Sequence, residues 1–87
     1  MKKKFTDYLI VDGYNVINAW SDLNEIAKVD LEGARDKLNF ILGEYAAFSG
    51  IYTIVVYDAY RVKAHTKREE EIGNLKIVYG LVFRLKR

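Results

Sequence analysis

The chain has 87 residues, of which 51% are hydrophobic, and its formal net charge is +2. That length suits one small domain, and the apolar content is sufficient for a core, which excludes a disordered chain. Cysteine is absent and His65 is the single histidine, so disulfides and an intramolecular zinc site are excluded. A bound metal would need oxygen ligands, which favours Mg²⁺ or Mn²⁺.

The N-terminus resembles the basic start of a signal peptide, with three consecutive lysines after Met1. The apolar run that follows, residues 8–11, is too short for the hydrophobic region of such a peptide. No stretch approaches the length of a transmembrane helix. We therefore expect a cytoplasmic protein without a membrane partner.

Three apolar runs predict strands. Residues 8–11 end at Asp12, and the continuous apolar pattern is typical of a strand buried on both faces. Residues 51–57 are rich in β-branched and aromatic side chains and end at Asp58. Residues 75–79 form a third, weaker run. The segment 60–74 is polar, which indicates a loop or a short exposed helix.

Apolar residues at spacings of three and four predict a long helix between the first two strands. The stripe consists of Leu31, Ala34, Leu38, Ile41, Tyr45 and Phe48. Asp30 is a suitable N-cap, and Gly50 is placed to end the helix. A shorter helix is predicted over residues 20–27, with Trp20 facing inward.

A strand, a helix and a second buried strand form a βαβ unit, which implies a parallel sheet. Ligands of such sheets bind at the carboxyl ends of the strands. Asp12 and Asp58 both follow predicted strands, so their carboxylates could converge on one magnesium ion. In the alternative interpretation, each aspartate caps the helix or turn that follows it.

Three segments carry a resemblance to a known family. Residues 9–17 read Leu-Ile-Val-Asp-Gly-Tyr-Asn-Val-Ile, residues 32–36 read Glu-Gly-Ala-Arg-Asp, and residues 54–59 read Ile-Val-Val-Tyr-Asp-Ala. With these segments the chain resembles the YacP-like branch of the NYN domains, which belong to the PIN-like ribonuclease superfamily. The resemblance continues to about residue 79.

The resemblance implies an α/β, PIN-like parallel sheet with flanking helices and a cytoplasmic Mg²⁺- or Mn²⁺-dependent endoribonuclease. Asp12 and Asp58 would bind the metal, and Asn15 would hold a carboxylate or a metal-bound water. Gly13 would let the backbone turn close to the phosphate. Some YacP-like members act on messenger RNA at the ribosome, so RNA and the ribosome are the implied partners.

After residue 79 the chain departs from the family, whose members continue into an acidic helical segment. Here residues 80–87 contain no acid, so we expect a single partial domain over residues 1–87, truncated after the third predicted strand. Two carboxylates alone would hold a divalent ion weakly, and we expect weak or absent cleavage. The alternatives are a non-catalytic RNA- or ribosome-binding module and an inactive fragment.

Basic residues near the predicted acidic edge are candidate RNA contacts. They are Arg35, Arg61, Lys63, Lys67 and Arg68. A solvated charged loop explains the last four equally well, because three glutamates follow. For Arg35 the alternative is an exposed ion pair with Asp36. Tyr14 could stack on a base or pack in the core.

The apolar C-terminal residues predict self-association, because they lack the partners of a complete domain. They are Leu81, Val82, Phe83 and Leu85. We therefore expect a homo-oligomer.

Overall fold

A computed structural model describes residues 8–58 and 68–80 of the chain. In these residues the order of elements is strand, three helices and three strands. The strands are β1 (Tyr8–Asp12), β2 (Tyr52–Tyr57), β3 (Arg68–Ile72) and β4 (Leu75–Tyr79). The helices are α1 (Gly13–Ala19), α2 (Ser21–Val29) and α3 (Leu31–Ser49). The domain is therefore of the α/β class.

The described strands form one four-stranded sheet in the order β1-β2-β4-β3. β1, β2 and β4 are parallel, and β3 runs antiparallel to β4. The predicted parallel pairing of the first two strands is confirmed. The prediction of a loop or a short exposed helix over residues 60–74 is wrong for residues 68–72. These residues form the outer strand of a hairpin, because pairing with β4 satisfies their backbone groups.

Helix α3 begins and ends where the sequence predicts. The Asp30 carboxylate accepts a hydrogen bond of 2.9 Å from the backbone N–H of Gly33, which caps the first turn. Gly50 ends the helix in the left-handed conformation, at φ 77°. Ala34 and Leu38 are fully buried on the predicted stripe, whereas Phe48 is 93% exposed at the far end. The stripe therefore reaches the core only through its first part.

The core lies between the three helices and one face of the sheet. Buried residues from both layers form one cluster, namely Tyr14, Ile17, Leu23, Ala34, Leu38, Val55, Tyr57, Leu75 and Ile77. Helix α2 confirms the second predicted helix and buries Leu23, but Trp20 is 48% exposed, so its predicted inward orientation is wrong. Trp20 occupies the junction between α1 and α2, as the C-cap of the first helix and the N-cap of the second.

The prediction that the first strand is buried on both faces is also wrong. β1 is an edge strand of the described sheet, and Tyr8 and Ile10 are 54% and 60% exposed. Val11 alone of its apolar side chains packs against the core cluster. The exposed pair lies in register with Tyr52 and Ile54 of β2, which are half-buried. An apolar strip thus runs across the sheet on the face opposite the core.

Candidate active site

The two predicted acidic residues lie at the carboxyl edge of the parallel strands. Asp12 is the last residue of β1, and Asp58 directly follows β2. The register sets Asp12 beside Val56, so Asp58 is two residues further along the neighbouring strand. Strands lie about 4.8 Å apart and rise about 3.3 Å per residue, which brings both carboxylates to the same part of this edge.

Asp12 also has a structural task. Its Oδ1 atom accepts a hydrogen bond of 3.3 Å from the backbone N–H of Asn15, so Asp12 is the N-cap of helix α1. The capping interpretation of this aspartate is therefore correct, and it is compatible with a site because the carboxylate remains exposed. Asn15 is exposed as well, at the same helix start.

Gly13 is required at this edge by the ring of Tyr57. A Cβ atom on residue 13 would lie 2.6 Å from Cδ1 of Tyr57 and closer still to Cε1. Such distances are not tolerated between carbon atoms, so a side chain here would displace the ring or the backbone. The turn after Asp12 thus depends on the packing of the neighbouring strand.

Behind the acidic edge lies a cluster of three tyrosines. Tyr14 and Tyr57 meet edge to face with ring centroids 5.3 Å apart, and Tyr57 and Tyr79 are stacked at 5.3 Å. Asn39 of α3 bonds to two of the hydroxyls: Tyr57 donates to its Oδ1 at 2.6 Å, and its Nδ2 donates to Tyr79 at 3.1 Å. This network ties α3 to the carboxyl ends of β2 and β4.

Arg35 is held toward this cluster. Its Nη1 atom donates a hydrogen bond of 3.0 Å to the hydroxyl of Tyr14. Arg35 is half-buried, whereas Tyr14 is buried, so Tyr14 belongs to the core rather than to an exposed base-stacking surface. The side chain of Arg35 therefore has a defined position near the start of α1.

Two tyrosines have perturbed acidity. Burial raises the pKa of Tyr57 far above its ordinary value, because the anion would lose its hydration. The hydrogen bond that Tyr52 donates to Glu71 at 2.6 Å raises the pKa of Tyr52 to about 12. Both side chains are therefore neutral at physiological pH, and Tyr57 serves as a hydrogen-bond donor.

The basic candidates are distributed unevenly. Arg61, Lys63 and Lys67 lie outside the described residues, as does His65. Arg68 begins β3, and its guanidinium lies 4.1 Å from the ring centroid of Tyr79. Within residues 8–58 and 68–80, no group of three or more acidic or histidine side chains is arranged to hold a metal. The predicted site residues that lie within the described part of the chain are thus Asp12, Asp58, Asn15, Arg35 and Arg68.

The sequence alone did not predict that Asn39 and Tyr79 belong to the hydrogen-bonded network behind the acidic edge. Nothing in the local pattern distinguishes Asn39 from other polar positions of α3, because its two partners are 18 and 40 residues away along the chain. Tyr79 could have been predicted to lie near the site, because it ends the third predicted strand and ligands bind at the carboxyl ends of parallel strands.

The fold is a mixed α/β sheet with helices packed on it and acidic residues at the carboxyl edge, consistent with a PIN-like domain. The chain belongs to the YacP-like NYN domain family, whose sequence profile matches residues 9–81. It is 43% identical over 63 residues to the uncharacterized protein YacP of Bacillus subtilis, a match that covers 72% of this chain and 37% of YacP.

Solved structures agree with this assignment. The crystal structure of Rae1 (YacP) from Bacillus subtilis superposes with a TM-score of 0.70 at 36% identity, covering 87% of this chain and 43% of that one. A mutant of the same protein superposes with a TM-score of 0.66 at 32% identity, covering 87% and 42%. The chain therefore spans less than half the length of these relatives.

No helix in the described part of the chain is both long enough and apolar enough to cross a membrane.

Proposed function

We propose that this chain carries part of a metal-dependent endoribonuclease site, in which Asp12 and Asp58 bind Mg²⁺ or Mn²⁺ and RNA is the substrate. The observation that carries the proposal is the position of both aspartates after adjacent parallel strands, at the edge where such sheets bind ligands. Membership of the YacP-like NYN family supports it. The proposal includes a cytoplasmic location and the ribosome as a partner, as the sequence resemblance implies.

The donor set fits the metal. Carboxylate oxygens are the ligands that Mg²⁺ and Mn²⁺ prefer, and exposed Asp12 contacts its helix through Oδ1 at a long 3.3 Å. When bound, such an ion supplies an activated water and neutralises charge on the phosphodiester. Two carboxylates are few for tight binding, so weak metal affinity and slow cleavage are expected.

The side chains of the protein would position the RNA. Arg35 would contact a phosphate near the start of α1, and its hydrogen bond to the Tyr14 hydroxyl supports this role. Asn15, which follows the Asp12 cap by three residues, would orient a carboxylate or a water. Arg61, Lys63, Lys67 and Arg68 would add salt-dependent affinity without sequence preference.

Asp12→Asn provides the test, because asparagine caps a helix about as well as aspartate but has no negative charge. We would incubate a labelled single-stranded RNA with the protein and Mn²⁺, with and without EDTA. Cleavage should disappear in Asp12→Asn and in EDTA. Asp22→Asn, a matched change at an exposed position of α2, should cleave like the wild type. Equal cleavage by Asp12→Asn and wild type would refute the proposal.

A second candidate is an RNA-binding module that does not cleave. The helix-capping task of Asp12 favours it, because capping accounts for this aspartate without any metal. Binding through arginine and lysine should survive EDTA and weaken with salt, whereas hydrolysis should not survive EDTA. RNA affinity that is equal with and without EDTA, and accompanied by no cleavage, would select this candidate.

A further inference from the structure

A guanidinium group terminates a column of stacked rings at one side of the domain. The rings of Tyr57 and Tyr79 are 5.3 Å apart and inclined by only 16°. Arg68 lies over Tyr79, with its guanidinium carbon 4.1 Å from the ring centroid. Tyr57 is 1% exposed, whereas the Arg68 side chain is 62% exposed. The column thus runs from the core to the surface and ends in a planar cation.

The column is held in place before any ligand arrives. Asn39 bonds to the hydroxyls of both tyrosines, at 2.6 Å and 3.1 Å, which fixes the rotation of the two rings. Arg68 is the first residue of β3 and pairs with Tyr79 across the hairpin, so its backbone is fixed as well. Because folding has already ordered the two rings, a ligand that stacks here would lose little affinity to the immobilisation of side chains.

The neighbouring groove indicates what kind of group could bind. Between α3 and the β3–β4 hairpin lies a groove of about 620 Å³ that includes Arg68 and Tyr79 in its lining. Its charged lining residues are Glu32, Asp36, Glu44 and Glu70, with Arg35 and Arg68. Carboxylates thus outnumber guanidiniums, which disfavours a phosphate in the part of the groove away from Arg35 and Arg68. Phe40, 68% exposed, adds a second aromatic surface, so a flat uncharged group is favoured.

We propose that Arg68, backed by Tyr79 and Tyr57, is a stacking site for an unpaired nucleobase of single-stranded RNA. Unpaired bases stack on aromatic rings and on arginine planes. The Tyr79 ring and the Glu70 carboxylate, 3.7 Å from Nε of Arg68, orient this guanidinium. The inference rests on the proposed RNA substrate and deepens it. It assigns Arg68 contact with a base, in addition to any contact with a phosphate.

The position of the column suits a strand that also reaches the acidic edge. Tyr79 pairs with Tyr57, and Tyr57 immediately precedes Asp58. Arg68 on β3 and Asp12 on β1 are separated by three strand spacings, about 14 Å. One RNA strand could therefore stack a base on Arg68 while a phosphate further along the strand lies near Asp12.

Fluorescence of a 2-aminopurine base, which is quenched when the base stacks, distinguishes stacking from attraction of charge. We would titrate the full chain, in EDTA so that cleavage is suppressed, into a single-stranded oligouridine that carries one 2-aminopurine and a terminal dye for anisotropy. Arg68→Ala and Arg68→Lys should each abolish the quenching and weaken binding by about tenfold. Lys28→Ala, which removes an exposed lysine paired with Glu25 on α2, should change neither.

The lysine variant decides the result, because it keeps the charge and removes the plane. Quenching and affinity like those of the wild type in Arg68→Lys would overturn the inference, and so would binding of the wild type without quenching or no binding at all. Circular dichroism would verify that each variant is folded. Cleavage in Mn²⁺, measured separately with unlabelled RNA, keeps the two proposals distinguishable. Cleavage without quenching refutes the stacking site, whereas quenching without cleavage supports it and refutes the proposed nuclease.

Discussion

At the scale of single residues, the acidic edge depends on contacts made by side chains that carry no charge. Gly13 follows Asp12 and leaves the space that the Tyr57 ring occupies. Tyr57 in turn donates its hydroxyl proton to Asn39 of α3. The conformation of the chain immediately after the candidate metal ligand is therefore determined by the packing of β2 and α3.

Alanine substitutions of two glycines test this dependence, with opposite expected signs. Gly13→Ala should lower the free energy of unfolding by about 1–3 kcal/mol, because the new methyl group overlaps the Tyr57 ring. Gly43→Ala, in the middle of α3, should raise it by up to about 1 kcal/mol, since its methyl group would meet Leu75 Cδ2 at an ordinary 3.7 Å. Urea denaturation measures both. Equal effects of the two changes would contradict the proposed close packing at Gly13.

Alkaline pH should destabilise the domain through Tyr57. Its pKa is raised by burial in the folded state, whereas in the unfolded chain it returns to about 10. Above about pH 10 the unfolded state therefore binds fewer protons than the folded state, and stability falls as pH rises. Tyr52, with its pKa of about 12, acts in the same direction.

Tyr57→Phe should flatten this loss of stability above pH 10. It should also cost about 1 kcal/mol at neutral pH, where the hydrogen bond to Asn39 is lost. Thermal unfolding from pH 7 to 11 measures both effects. Tyr8→Phe, at a 54% exposed position, controls for removal of one hydroxyl group. A steep alkaline loss in Tyr57→Phe equal to that of the wild type would show that other groups cause it.

At the scale of elements, the two aspartate caps have different consequences. Asp30 caps α3, which has 19 residues, contributes Ala34 and Leu38 to the core and bonds to Tyr57 and Tyr79 through Asn39. Asp12 caps α1, which has 7 residues. Both helices begin near the end of the sheet where the candidate site lies, because α1 directly follows β1 and α3 holds Arg35 against Tyr14.

Asp30→Ala should lower the free energy of unfolding by about 1 kcal/mol, because the Gly33 N–H loses its 2.9 Å partner. Asp30→Asn should retain most of that stability, since asparagine caps comparably. Asp12→Ala should likewise lower the free energy of unfolding, whereas Asp12→Asn should retain most of it. Only Asp12→Asn separates the role of the charge in metal binding from the role of the cap. Chemical denaturation of the four variants measures these effects. A loss in Asp30→Asn as large as in Asp30→Ala would show that the charge matters more than the cap.

At the scale of the whole molecule, the described fold leaves apolar surface on the face of the sheet opposite the core. Ile10 and Tyr8 of the edge strand β1 are more than half exposed, beside half-buried Tyr52 and Ile54 of β2. Exposed edge strands with apolar side chains promote pairing between chains. This surface lies within the described residues, and it adds to the apolar C-terminal segment that first indicated a homo-oligomer.

We predict that the chain self-associates through this surface and that Ile10→Lys shifts it toward the monomer. A lysine on an edge strand opposes pairing because its charge would have to be desolvated. Sedimentation velocity over a range of concentrations measures the effect. Val29→Lys places the same charge at an 87% exposed position of α2 and should leave association unchanged. A wild-type chain that stays monomeric throughout would contradict the prediction.

Much of this architecture follows from local pattern. Helix α3 could be predicted from its stripe, its Asp30 cap and the terminal Gly50, and the structure confirms all three. The parallel pairing of β1 with β2 followed from two apolar runs joined by a helix. The hairpin strand β3 was missed because four of its five residues are charged, although Gly73-Asn74 is a turn signal between β3 and β4.

By itself, the sequence determined the class of the fold, the position of the two aspartates after strands, and the resemblance to the YacP-like NYN family. These features depend on periodicity, capping and short motifs, which act between residues close along the chain. Tertiary structure decided that β1 is an edge strand of the described sheet, that Gly13 lies against Tyr57, and that Arg68 tops the Tyr79–Tyr57 stack. Those contacts join residues distant along the chain, so they depend on strand order and on how α3 packs on the sheet.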